Sequence, residues 1–135
     1  MKCVRTFTTM ALILVLGAVA AQAQRASRQW VLLGERTVTD RGDHDVLPVT
    51  GARGSFDAIR FEVRNHAVDF RRVTIHFANG DDQTVELRAT IPAGGESRVI
   101  DIDGANRVIR EVEFWYDAKT LGRGGRALVR VLGRH

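Results

Sequence analysis

The sequence predicts an all-β protein: a single antiparallel β-sandwich, jelly-roll-like, with about seven to eight strands. Two observations predict this fold. Short segments alternate apolar and polar residues with a period of two, which is typical of strands that bury one face. Gly, Asn and Asp separate these segments at intervals of roughly ten residues, and no segment shows a helical period. A single closed sheet is the alternative architecture.

The predicted strands share this alternation and are, in chain order, residues 30–38, 46–49, 56–64, 73–77, 85–91, 97–102, 108–116 and 127–131. Gly34 predicts a bulge in the first strand, and Pro48 predicts that the second lies at an edge or a bend. The third strand is the clearest, because Ile59, Phe61 and Val63 share one face and charged residues share the other. This strand is expected to have one face in the core and one in solvent.

Turn and bulge signals separate the later strands. The apolar residues before and after Arg71 and Arg72 are out of phase, which predicts a bulge there. Asn79–Gly80 tolerates positive φ and predicts a tight turn. Pro92 ends the next strand, residues 103–106 form a turn, and residues 122–125 form a glycine-rich loop before the last strand.

The first 23 residues have the features of a cleavable signal peptide. Lys2 and Arg5 precede an apolar stretch from Met10 to Val19, and Ala21–Gln22–Ala23 supplies the small residues of a cleavage site. The stretch is too short for a transmembrane helix, which takes roughly 20 residues. We therefore expect one domain, residues 24–135, without an integral membrane segment, in a periplasmic or secreted bacterial protein.

Several strand segments resemble one known family. They are the run Trp30–Gly34, the strand Phe56–Val63, and the segment from Ser97 through Asp101, Gly104, Arg107 and Ile109 to Phe114. Together they resemble the YaaI-like domain of unknown function, a family of small exported proteobacterial proteins. The resemblance covers essentially residues 24–135 and implies an exported β domain. It brings no catalytic or ligand-binding residue with it.

The charge pattern argues against a nucleic-acid partner. The formal net charge is +4, and Lys2 and Arg5 of the predicted signal peptide supply two of these charges. The other arginines are interleaved with acidic residues instead of clustering on one basic face. We therefore expect no nucleic-acid ligand. Arginine does suit bidentate contacts with carboxylates and phosphates, so an envelope glycan or a protein stays open as a partner.

Three carboxylates lie close together in the segment between the first two strands. Asp40, Asp43 and Asp45 could supply the oxygen ligands that calcium takes from flexible loops. No complete calcium-loop motif is present, and Asp is also an ordinary turn residue. The histidines lack the spacing of a zinc site. We expect no cofactor, with a calcium site at these three residues as the alternative.

Tryptophan and arginine supply the predicted ligand-binding residues. Because Phe114 and Tyr116 are expected in the core, Trp115 falls on the outer face beside Glu113. An exposed tryptophan on a polar sheet face can contact a sugar ring or a partner, unless a loop covers it. Trp30, by contrast, is expected in the core or at the end of the sandwich. The predicted ligand-binding residues are Trp115, Arg60, Arg64 and Arg88.

No catalytic motif accompanies these residues. The serines after the predicted signal peptide lack the Gly-x-Ser-x-Gly elbow of a hydrolase. Acids two residues apart, such as Glu111 and Glu113, are typical cross-strand partners of arginine. We therefore predict a non-catalytic envelope or secreted binding module. The alternatives are a structural or accessory protein that associates through an edge strand, a calcium-dependent binding domain, and a hydrolase without a recognisable motif.

Overall fold

Alternating side chains build two antiparallel sheets in residues 30–135, the part of the chain that the computed structural model describes. The predicted signal peptide, residues 1–23, and the start of the predicted domain, residues 24–29, lie outside this range. The strands are β1 Trp30–Thr39, β2 His44–Pro48, β3 Ser55–Phe56, β4 Ala58–Arg64, β5 Val68–Phe77, β6 Asp82–Val85, β7 Ala89–Ile91, β8 Ile100–Asp101, β9 Arg107–Tyr116 and β10 Arg126–Arg134. Two short 3₁₀ helices span Gly51–Arg53 and Ala118–Leu121.

The strand order is that of a jelly roll. The first sheet has the order β1-β10-β4-β8, and the second has the order β2-β9-β5-β6, with β3 paired to β9 and β7 paired to β5. The chain therefore changes sheet between β1, β2, β4 and β5, and again between β8, β9 and β10, as in a jelly roll. The predicted all-β sandwich is confirmed. Within residues 30–135, no helix is long and apolar enough to cross a membrane.

The core lies between the inner faces of the two sheets. Phe61 of the first sheet packs against Phe70 and Phe114 of the second, with ring centroids 5.3 and 5.6 Å apart. All three side chains are fully buried. Ile59 and Val63 flank Phe61 and are also fully buried, so the period-two prediction for this strand is confirmed.

Both predicted bulges occur. The register of β1 against β10 shifts between Leu32 and Gly34, and the register of β5 against β9 shifts between Phe70 and Arg72. At Gly34 an added Cβ would lie 3.1 Å from the Leu47 side chain, so glycine leaves room for the second sheet there. The second bulge decides which β5 side chain lies beside Trp115.

Three strand predictions are wrong in extent. Predicted strand 85–91 is broken into β6 and β7, because Arg88 takes a φ of 42° and turns the chain. Predicted strand 97–102 is reduced to Ile100–Asp101, since the Ser97 hydroxyl accepts the Phe61 backbone N–H in place of a regular strand ladder. Predicted strand 56–64 is also divided, into β3 and β4 on either side of Asp57. The breaks at Arg88 and Asp57 raise the number of strands in residues 30–135 to ten, above the predicted seven to eight.

Candidate functional site

The outer face of the second sheet carries a row of three side chains that the strand register brings together. Trp115 on β9 lies opposite His44 on β2 and opposite Arg72 on β5. Because inward residues alternate with outward ones, Phe114 and Tyr116 point into the core on either side of Trp115. The prediction that Trp115 lies on the outer face with Glu113 is therefore confirmed.

Trp115 is covered on its ring faces by two polar neighbours. The Arg72 guanidinium carbon lies 4.2 Å from the indole centroid, and the His44 ring stacks on the indole at 5.6 Å with an interplanar angle of 16°. β2 and β5 flank β9 on opposite sides, so Trp115 lies between an imidazole and a guanidinium. Trp115 thus orients the Arg72 guanidinium through a cation–π contact.

A groove of about 670 Å³ opens beside this row. We call it the Trp115 groove; its lining residues are Asp69, Phe70, Arg71, Arg72, Glu86, Arg88 and Trp115. Arg88 is paired with Glu86 at 3.2 Å, and Arg71 with Asp117 at 3.5 Å. Arg72 has no carboxylate within ion-pair distance in residues 30–135. The groove therefore presents one stacked guanidinium whose N–H donors have no acidic partner in the described chain.

Three hydrogen bonds and one longer ion-pair contact link two histidines and three carboxylates on the same face. His76 Nε2 lies 3.1 Å from Glu113 Oε1, and His76 Nδ1 lies 2.6 Å from Asp82 Oδ1. His44 Nε2 lies 3.6 Å from Glu113 Oε2, and His44 Nδ1 lies 2.9 Å from Asp43 Oδ1. Each imidazole therefore sits between two carboxylates, and Glu113 is shared.

These carboxylates favour the charged form of both histidines. The hydrogen bond to Asp43 raises the pKa of His44 above its usual value, with smaller contributions from the nearby charges of Asp43, Glu113 and Asp45. Burial alone would lower the pKa of His76, but hydrogen bonds to Glu113 and Asp82 outweigh it and raise that pKa. No hydroxyl or thiol contacts either imidazole within residues 30–135, so neither is placed to activate a nucleophile of the described chain.

The three aspartates predicted as a calcium site have three separate partners. Asp40 Oδ2 accepts the Gly124 backbone N–H at 2.8 Å, Asp43 pairs with His44, and Asp45 Oδ2 accepts the Tyr116 hydroxyl at 2.9 Å. Burial and the Asp45 carboxylate raise the pKa of Tyr116, so this hydroxyl stays a donor. In residues 30–135 no three His, Cys, Asp or Glu side chains are grouped to hold a metal ion. Calcium binding here stays a prediction.

The structure separates the predicted ligand-binding residues. Trp115 and Arg88 line the same groove, whereas Arg60 and Arg64 lie on β4, on the outer face of the first sheet. Trp30 is half-buried and stacks under Arg60 at 4.5 Å, so the expectation that Trp30 enters the core is wrong. Glu113 is paired with histidines instead of the predicted arginines.

Sequence reasoning missed Arg72 and His44. Their position beside Trp115 follows from the pairing of β2 and β5 with β9. For Arg72 this pairing also depends on the bulge after Phe70, which shifts the register of β5 against β9.

The comparisons with known proteins give a family and distant structural likenesses. A family model described as a domain of unknown function, DUF2541, matches residues 8–133. No curated protein matches this sequence.

Three solved structures resemble the fold at low sequence identity. AlgX of Pseudomonas aeruginosa is 16% identical with a TM-score of 0.49, over 82% of this chain and 27% of the AlgX chain, so this chain spans about a quarter of AlgX. A mutant of the carbohydrate-binding module CBM29-2, in complex with cellulohexaose, is 16% identical with a TM-score of 0.39, over 78% of this chain and 75% of that one. The SPBc2 prophage-derived protein YomS is 13% identical with a TM-score of 0.40, over 78% of this chain and 91% of that one. At these identities and TM-scores the likenesses assign neither a ligand nor a partner to this chain.

Proposed function

The chain belongs to the DUF2541 family, whose function is unknown, and we propose that this protein is a non-catalytic binding module for an anionic glycan. The ligand site is the Trp115 groove. The contacts of these residues orient hydrogen-bond donors and hold charge, which supports a binding role.

The observation that carries the proposal is the state of Arg72. Stacking on Trp115 fixes the guanidinium plane, so less side-chain freedom is lost when an anion binds to its edge. Its charge has no carboxylate partner in the described chain, unlike that of Arg71 and Arg88 in the same groove. A carboxylate-bearing sugar would therefore gain a charge-assisted, bidentate contact without displacing an existing ion pair.

Binding of polygalacturonate, a polymer of sugar carboxylates, tests this proposal, with neutral dextran as the comparison ligand. We expect binding to polygalacturonate that weakens about tenfold in Arg72→Gln, the range for loss of one charge-assisted hydrogen bond. Arg60→Gln is the matched control, because it also removes an arginine stacked on a tryptophan but lies on the other sheet. Equal binding of dextran, or equal loss in both variants, would contradict an anion site in the Trp115 groove.

We also propose that the protein is a YaaI-like proteobacterial member of the family, exported by the segment 1–23 to the periplasm or the medium. The charged, apolar and small residues of this segment support export. Mass spectrometry of the protein from the cell envelope should give a chain that begins at Gln24. A chain that retains Met1 in the cytoplasm would rule this out.

An accessory protein that pairs through an edge strand is the second candidate function. β1 and β2 are both edge strands, and Arg36 of β1 donates to the Val46 carbonyl of β2 at 2.9 Å. This contact ties these two edge strands to each other and makes them poorer partners for another chain, whereas β8 and β6 form the opposite edges of the two sheets. We therefore expect the protein to elute as a monomer in gel filtration, and a concentration-dependent dimer would favour the accessory role instead.

A further inference from the structure

A second groove, of about 710 Å³, lies at one end of the sandwich. We call it the end groove; its lining residues are Thr39, Asp40, Arg41, Arg123, Gly124 and Arg126. They come from the turn between β1 and β2 and from the loop that leads into β10, and Thr39 and Arg126 are paired across the two strands. The end groove shares no lining residue with the Trp115 groove.

The charges of the end groove are not compensated within the described chain. Arg41, Arg123 and Arg126 are exposed, and none of their side chains has an ion pair or a hydrogen bond to another group in residues 30–135. Elsewhere on the sandwich most arginines contact a carboxylate or a backbone carbonyl, as Arg107 and Arg130 do. Three cations therefore gather at one place where the fold supplies a single carboxylate, that of Asp40.

That carboxylate has a structural partner. Asp40 Oδ2 accepts the Gly124 backbone N–H at 2.8 Å, a contact that joins the two loops across the groove. This hydrogen bond connects the loop that carries Arg123 to the β1–β2 turn. The Asp40 carboxylate therefore joins two loops and forms no ion pair with an arginine of residues 30–135.

The loop before β10 needs glycine at three positions. Gly122 and Gly124 have φ values of 72° and 74°, which L side chains rarely adopt. A Cβ at Gly125 would collide with the Leu121 carbonyl oxygen, and Leu121 itself is buried. Glycine therefore permits the tight path that places Arg123 and Arg126 beside the β1–β2 turn.

We propose that the end groove is a second anion site and that it binds a phosphate group. Three guanidinium groups against one carboxylate give the lining a formal charge that a dianion matches. A phosphate monoester carries nearly two negative charges at neutral pH and offers three acceptor oxygens for planar arginine donors. The site is separate from the glycan site proposed for the Trp115 groove and does not depend on it.

Calorimetric titration of the protein with inorganic phosphate, at constant ionic strength set with chloride, tests the site. We expect saturable binding that weakens about tenfold or more in Arg123→Gln and again in Arg126→Gln. Arg53→Gln is the matched control, because Arg53 is also exposed and has no side-chain partner in the described residues, but it lies in a 3₁₀ helix and lines neither groove. Phosphate binding that is lost in Arg72→Gln but kept in Arg123→Gln would place the phosphate in the Trp115 groove and would overturn the proposal. No saturable binding, or an equal loss in Arg53→Gln, would overturn the proposal.

Two further binding experiments distinguish a phosphorylated glycan from a lipid headgroup as the source of the phosphate. Glucose 6-phosphate represents a phosphorylated glycan, and vesicles of phosphatidic acid in phosphatidylcholine represent a lipid headgroup. Binding to either that is lost in Arg123→Gln supports the site and names its source. Failure of both, together with failure of inorganic phosphate, overturns it.

Discussion

The two outer faces of the sandwich carry the same pairing of a tryptophan and an arginine in different electrostatic surroundings. On the first sheet, Arg60 stacks on Trp30 at 4.5 Å and also lies 3.7 Å from Glu62 and 3.6 Å from Glu96. On the second sheet, Arg72 stacks on Trp115 at 4.2 Å without a carboxylate partner in the described chain. The stacking geometry is shared, and the acidic neighbours differ.

The cation–π contact between arginine and tryptophan therefore has a different role on each sheet. Arg60 is largely buried, and its Nε has no hydrogen bond. Its charge is balanced by Glu96 and by Glu62, which also pairs with Arg130. Such an arginine covers its tryptophan and stabilises the sheet face. Arg72 is exposed and its donors are available to an external anion, so its stacking contact preorganises a binding group.

The largest loss of stability is expected when a core side chain beneath the two outer faces is removed. Phe61 lies next to Arg60 on β4, and Phe114 lies next to Trp115 on β9; the two rings contact each other across the sheets. Phe61→Ala and Phe114→Ala should each lower the free energy of unfolding by about 3–5 kcal/mol, because each leaves a cavity in the core. Urea unfolding measures this, with Val99→Ala, at a valine that is 42% exposed, as the control that should change it by less than about 0.5 kcal/mol. Similar losses in the two Phe variants would show that the faces differ only outside the core, and a loss in one alone would contradict a shared core.

The alternation of apolar and polar residues predicts the buried and exposed faces best where a strand is long and regular. In β4, and in β9 from Val112 to Tyr116, the buried and exposed rows are the predicted ones, because the alternation runs there without a bulge. At the start of β9 a register shift against β5 changes the phase, so Ile109 is buried and Val108 is exposed. The bulges at Gly34 and after Phe70 could also be predicted, from a glycine in one case and from a change of phase in the other.

Partners across strands could not be predicted in the same way. Arg72 and His44 meet at Trp115 only because β9 lies between β5 and β2, and sheet order depends on contacts far apart in the chain. Asp40 likewise looked like part of an acidic loop in the sequence, whereas the fold places Arg123 and Arg126 beside it from more than eighty residues away. Such non-local contacts decide whether a cluster attracts a cation or an anion.

The second prediction concerns the stability that Arg60 contributes to the first sheet. Arg60→Gln should lower the free energy of unfolding by about 1–2 kcal/mol, because Glu62 and Glu96 lose a cation and Trp30 loses its cover. Arg64→Gln, on the same strand but exposed and without an ion pair in residues 30–135, is the control and should change it by less than about 0.5 kcal/mol. Equal effects in urea unfolding would mean that the Arg60 network adds nothing to stability.

A smaller effect, confined to the second sheet, depends on pH. The pKa of His76 is raised in the folded protein by Glu113 and Asp82, so the charged imidazole stabilises the fold. This stability is fully present below the unfolded pKa of about 6.5, while the carboxylates remain ionised, and is lost as pH rises through the higher folded pKa. His76→Gln should therefore reduce the free energy of unfolding at pH 6 more than at pH 9. A pH-independent difference, or histidine resonances that titrate below the usual range in NMR, would contradict the direction of the shift.

The smallest expected effect on stability is that of Arg72→Gln. An exposed arginine on a tryptophan face contributes about 0.5–1 kcal/mol, and removal of Arg72 breaks no ion pair of the described chain. The variant should nevertheless change the surroundings of Trp115 as much as Arg60→Gln changes those of Trp30. The chain has only these two tryptophans, so acrylamide quenching of fluorescence in a Trp30→Phe background reports Trp115 alone. Faster quenching with nearly unchanged stability would show that the Arg72 contact orients a binding group, whereas a loss of stability as large as that of Arg60→Gln would make the two faces equivalent.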